Sequence, residues 1–174
     1  MSMFKTLQNS PSTISIFHNA KIPMSNKLYG ILSKANYKLN EDKSKIILDL
    51  MENTLPTYDQ YSLIVNNCLR DNYSKNVVAS CFPFIKGSTE NKVGQDRVTV
   101  NAPIGLQRLS GSGLKVFNEG EYAMIVEAFN GIEQSDSTEV SASAVFAAPL
   151  VVDWDQNMIA NDEHGISNIL NKYK

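Results

Sequence analysis

The side chains best able to do chemistry in this sequence are Cys68, Cys81, His18 and His164, with the polar pair His18-Asn19 leading into Lys21, Pro23 and Ser25. A thiol attacks only as its thiolate, and a helix N-terminus or a nearby cation is what lowers its pKa enough. The segment Thr13–Leu32, TISIFHNAKIPMSNKLYGIL, reads as such a place. It is a short apolar strand (Ile14, Ile16, Phe17), a loop with His18, Asn19 and Pro23, then a helix opened by Ser25, with Lys21 as the cation. It contains no sulfur nucleophile. His18 and Asn19 are therefore candidates to hold a ligand or an oxyanion at the helix start. The plainer reading of His18 is a loop residue hydrogen-bonded to backbone.

Cys68 and Cys81 are the candidate catalytic residues, as thiol nucleophile and resolving partner, with Arg70 the nearest cation in sequence. Each also falls on the apolar side of its helix, where cysteine behaves as a small hydrophobe. Two lone histidines and two core-facing cysteines lack metal-ligand spacing, so neither a metal nor a cofactor is expected. His164 reads as a surface residue in the first turn of the last helix. Asp153 and Asp155 share one side of a strand, and read as a solvent-facing pair beside a packed Trp154 rather than a catalytic dyad. No phosphate-cradling glycine loop, nucleophile elbow or zinc signature occurs, which disfavours hydrolases and nucleotide-binding enzymes.

The elements that must position these groups follow from periodicity. Leu28, Ile31, Leu32 and Ala35 stripe a first helix over about Ser25–Asn36. Ile46, Leu48 and Leu50 alternate along a second strand. Pro56 and Thr57 open a helix through a Thr57/Gln60 capping box, with Tyr61, Ile64, Val65 and Cys68 on one side. A third helical piece, Tyr73–Phe82, carries Val77, Val78 and Cys81 and is stopped by Pro83. Glycine and proline then punctuate Ile85–Val116 too densely for long elements, leaving one short strand at Arg97–Val100. Gly120–Phe129 is helical, and Asn130–Ser143 is a Ser-rich loop. The carboxyl end reads as a strand at Leu150–Trp154, a turn at Asp155-Gln156-Asn157, a return strand at Met158–Ala160, and a helix capped near Asn161 or Asp162.

At 174 residues, 43% hydrophobic and with a formal charge of -2, the chain suits a single soluble domain over residues 1–174. Neither nucleic acid nor an anionic membrane is implied as a partner, and no run approaches the ~18–20 apolar residues that span a bilayer. Two cysteines are too few for a secreted disulfide scaffold and suit a reducing compartment. Residues 1–40 hold Lys5, Lys21, Lys27, Lys34 and Lys38, and the first acid is Glu41. An acid-free, Ser/Lys-bearing amino end is similar to organelle import sequences, the alternative being a solvated basic face on the first helix.

Three stretches, FHNAKIPMSNKLYGIL (17–32), LPTYDQYSLI (55–64) and APLVVDWDQN (148–157), resemble the arsenate-reductase-like thioredoxin folds. With the opening MSMFKTLQNSPSTISIF, they resemble more closely a family of fungal mitochondrial redox proteins carrying MSxxKTLQ, PT[YW]DQ and [LV]VDW motifs. The resemblance implies an α/β, thioredoxin-like fold, β-α-β-α…β-β-α, a mixed sheet flanked by helices on both faces with a long loop-rich insertion at 85–147. It implies a mitochondrial location and reduction of small toxic molecules through a cysteine. In arsenate-reductase-type folds that cysteine lies four residues after a histidine, where this chain has Ile22. In the fungal family it lies on the helix before the final hairpin, where Gly120–Phe129 has none. Pro149 falls where thioredoxin folds place a cis-proline whose neighbouring backbone groups bind substrate. Two hypotheses follow: a mitochondrial thiol oxidoreductase using Cys68 or Cys81, or a non-catalytic thioredoxin-like domain that binds a peptide or small ligand between the His18–Ser25 loop and Pro149.

Overall fold

The structure is a computed structural model that describes residues 10–83, 116–133 and 145–174. In chain order its elements are β1 (Ser12–His18), α1 (Pro23–Leu39), β2 (Ile46–Glu52), α2 (Tyr58–Asn67), α3 (Asn72–Cys81), α4 (Glu119–Glu133), β3 (Leu150–Asp153), β4 (Met158–Ala160) and α5 (Glu163–Leu170). A 3-10 turn, Asn171–Tyr173, follows. Contacts divide the chain into two compact units, Met1–Thr54 with Pro149–Lys174, and Leu55–Ala148.

The first unit is a four-stranded mixed sheet of order β2-β1-β3-β4. β1 and β2 run parallel, from Ser12 opposite Ile46 to His18 opposite Glu52, and α1 is the crossover that a parallel pair requires. β3 is antiparallel to β1, with Ile14 opposite Asp153 and Phe17 opposite Leu150, so both ends of the chain meet in one sheet. The hairpin places Val152 opposite Ile159. Side chains alternate across the sheet: Ile14, Ile16, Ile46, Val151 and Ala160 pack with Leu28 and Leu32 of α1 and Ile166, Ile169 and Leu170 of α5. Phe17, Leu150, Val152 and Ile159 point the other way and are also buried.

Three local details depart from the sequence expectations. α1 starts at Pro23, not Ser25, because proline fits the first helical position, where its missing N–H has no intrahelical acceptor to reach. It also runs on to Leu39. Asn40 closes it, and its side-chain oxygen accepts the N–H groups of Lys45 (2.7 Å) and Ile46 (3.0 Å), which sets the start of β2. Trp154 lies in the turn after β3 rather than in the strand. Asp153 is the third departure: it is fully buried, not solvent-facing. Its carboxylate accepts from the backbone of Asp155 (3.0 Å) and Gln156 (3.0 Å), from Gln156 Nε2 (2.5 Å) and from Tyr173 Oη (2.5 Å). Four donors offset the cost of taking the carboxylate out of water. Asp155 stays exposed and accepts the Thr13 N–H at 3.1 Å.

The second unit is helical among its described residues. The Thr57/Gln60 capping box of α2 forms as expected, and Asp162 caps α5 in the first unit. α3 is capped by Asp71 through the Ser74 N–H at 2.8 Å. α4 is capped by Asn118 and Glu121 exchanging bonds of 2.8 and 2.9 Å, and it continues through residues 130–133, expected as loop. Tyr61 stacks on Tyr122 (4.8 Å between centroids) and Phe117 (5.7 Å), with Phe82 edge-on at 5.9 Å. Tyr122 Oη donates to the Pro56 carbonyl at 2.6 Å, which fastens α4 to the start of α2. The expected strand at Arg97–Val100 and most of the expected loops at 85–116 and 130–143 lie outside the described residues. Among the described residues no helix is long and apolar enough to cross a membrane.

Candidate functional site

β1 ends at His18, and the chain must reverse at once to start α1. Asn19 makes that turn: its side-chain oxygen accepts the Lys21 N–H (2.9 Å) and its carbonyl accepts the Ile22 N–H (3.0 Å). This is the Asx-type geometry for which asparagine is suited. Ser25, in the first turn of α1, is fully buried and closes the loop. Its Oγ accepts the Asn19 N–H at 3.0 Å and lies 2.6 Å from His18 Nδ1. The hydroxyl has one hydrogen and two lone pairs, so it pairs with Nδ1 in either imidazole tautomer while it holds the Asn19 N–H. The His18 ring also lies 5.1 Å from that of Tyr29, tilted by 38°.

Pro149 joins the same place through the sheet. The β1/β3 ladder ends with Phe17 opposite Leu150, and Pro149 and His18 are the next residues along their chains at that end of the sheet. Pro149 is buried and precedes the first residue of β3. Three of the residues expected to hold substrate, His18, Asn19 and Pro149, thus share one end of the sheet. At that end Ile22, the N-cap of α1, contributes no side-chain hydrogen bond, so the cap position does not occupy the helix's donor end. Positive potential collects there.

The two cysteines lie in the other unit. Cys68 occupies the C-cap of α2 and Cys81 the last turn of α3, with 2% and 1% exposure, both as thiols. Burial pushes the Cys81 thiol up to about 12, which disfavours the thiolate at neutral pH. Tyr61 in the same unit is also raised to about 12, by burial first, and Tyr122 is raised for the same reason. Among the described residues no three His, Cys, Asp or Glu side chains gather as a metal site. His164 is exposed at the start of α5.

Two polar groups escaped the sequence reading. Ser25 was expected to open a helix, and what signals its other role is a hydroxyl two residues past a proline at the first helical position. Ser15, 1% exposed, bridges two side chains on the opposite face of the sheet: it accepts from Trp154 Nε1 (2.8 Å) and donates to Asp49 Oδ2 (3.0 Å). This relay holds the tryptophan and β2 to β1 and presents no free nucleophile.

No curated protein matches the chain, and no solved structure matches it. Residues 4–162 match the family model described as Protein of unknown function (DUF1687), and the chain therefore belongs to that family.

Proposed function

We propose that the protein is a thioredoxin-like binding domain whose ligand, a small molecule or a length of peptide, is held between the β1–α1 loop and Pro149, without thiol chemistry. Support for the fold comes from the strand order β2-β1-β3-β4, with β1 and β2 parallel and the other neighbours antiparallel, in a β-α-β…β-β-α chain. The observation that carries the functional reading is the state of the two groups at the loop. His18 Nδ1 and Ser25 Oγ are committed to each other at 2.6 Å, and Ile22 stands where a nucleophile would be needed. The loop is thereby stiff, and the helix start and the backbone beside Pro149 are left to contact a ligand. We also propose residence in mitochondria, on the acid-free, lysine-bearing amino end; a fluorescent fusion that stays outside mitochondria contradicts it.

Glutathione tests binding and redox readings with one reagent, since it combines a peptide backbone, two carboxylates and a thiol. Reduced glutathione titrated into the 15N-labelled chain is expected to shift amides confined to residues 18–26 and 150–151. Its disulfide is expected to leave both cysteines unmodified by intact-mass measurement. A glutathionyl adduct on Cys68 or Cys81 restores the oxidoreductase reading, and the absence of any saturable shift near residues 18–26 removes the binding one.

A further inference from the structure

A second recessed surface lies within the helical unit, independent of the β1–α1 loop. Tyr58, at the start of α2, and one face of α4 enclose a groove of about 610 Å³. On α4 the residues Glu119, Val126, Glu127 and Asn130 are set at helical spacing along it, with Tyr122 beneath. Tyr122 is 1% exposed and anchored to Pro56, so the floor is fixed, and its ring lies 5.8 Å from that of Tyr58. Tyr58 is half-buried, with part of its ring open to the groove. Glu119 and Glu127 are exposed, and among the described residues neither takes part in an ion pair. α2 and α4 together contain no lysine or arginine, and carry Asp59, Glu119, Glu121, Glu127 and Glu133. The walls are therefore of one sign over an aromatic and aliphatic floor.

We propose that this groove receives a basic peptide segment, its cationic head groups taken by Glu119 and Glu127 and its aliphatic stems laid on Tyr58 and Val126. The spacing sets what fits. The two glutamates are eight residues apart on one helix, a separation of about 12 Å along its axis. An extended chain covers about 13 Å in four residues and returns to the same side after each pair. The matching ligand is an extended segment with lysine or arginine at i and i+4. An aromatic face beside a carboxylate suits such a head group, through cation–π attraction and charge together.

The test is fluorescence anisotropy at low salt with a fluorescein-labelled peptide carrying two lysines four positions apart, against the same peptide with glutamates. Saturable binding of the lysine peptide alone is expected. Glu119→Gln with Glu127→Gln weakens it about five- to tenfold, as two partly exposed ion pairs are lost. Tyr58→Leu weakens it about threefold. Val126→Lys, which sets a cation on the floor of the groove, abolishes it and serves as an independent second arm. Glu41→Gln with Asp42→Asn, which removes two exposed acids from the turn before β2, leaves affinity unchanged. Equal binding of the glutamate peptide, equal weakening by the Glu41/Asp42 pair, unchanged binding by the Glu119/Glu127 pair, or no saturation would each overturn the proposal.

Discussion

Replacing Ser25 with alanine isolates the joint on which the β1–α1 loop depends. The hydroxyl is fully buried and serves two partners, the Asn19 N–H at 3.0 Å and His18 Nδ1 at 2.6 Å. Ser25→Ala removes both hydrogen bonds; the buried ring nitrogen left unsatisfied costs about 1–3 kcal/mol, and the half-buried Asn19 N–H, which can turn to water, about 1 kcal/mol. Helix propensity offsets about 0.5 kcal/mol, since alanine is the better helix former. The sum is a destabilisation of about 2–3 kcal/mol. In urea, with a slope of roughly 2 kcal/mol per molar, the midpoint falls by about 1 M or slightly more. Far-UV circular dichroism follows it, and an unchanged slope assigns the loss to the folded state. A double-mutant cycle with His18→Leu, which keeps the bulk of the ring but not Nδ1, should return a coupling of about 1 kcal/mol. A midpoint shift under about 0.25 M, or no coupling to His18, would refute the claim that this pair stiffens the loop.

Three further outcomes follow from the same structure. Asp153→Asn turns the oxygen facing Gln156 Nε2 and Tyr173 Oη into an amide donor, and should cost about 3 kcal/mol in urea unfolding. Installing a thiol by Ile22→Cys at the N-cap of α1 should give a pKa below the free-thiol value of about 8.5, read from thiolate absorbance against pH; a value at or above it would show that the helix start does not favour an anion. Stability should decline at alkaline pH. Cys81 rises from its ordinary 9.0 to about 12 on folding, and Tyr61 and Tyr173 from 10.0 to about 12. Raised folded-state values mean stability that is fully present below pH 9 and lost as pH rises towards 12. Thermal melts between pH 7 and 11 check it, and a melting temperature that rises above pH 10 would contradict the sign.

What could be read from the residues was what local chemistry enforces. The alternation of Ile14 and Ile16, the Thr57/Gln60 box and the Leu150–Ala160 hairpin are short-range patterns, and each forms where expected. The ends of helices were less accessible. Pro23 carried the true start of α1, but serine is also a good cap, and Ser25 competed with it. Asp153 was misplaced because period-two alternation gives the face of a strand and not how deep that face lies. Its burial depends on Tyr173, twenty residues away, closing over it. An Asx-type turn at Asp153 was the local clue, since its oxygen meets the N–H groups two and three residues on. The placement of Pro149 at the end of the sheet that carries His18 came from pairing the first strand with the third, across more than a hundred residues that no window of sequence contains.

The proposed binding role places function at the β1–α1 junction rather than on a reactive sulfur, and the rate at which the native protein's two thiols react with Ellman's reagent at pH 7 tests it most directly. Cys68 and Cys81 are 2% and 1% exposed, so reaction should wait on opening of the fold and run at least about 100-fold slower than that of free glutathione, rising to the free rate in denaturant. Either cysteine reacting in the folded protein as fast as free glutathione would contradict it.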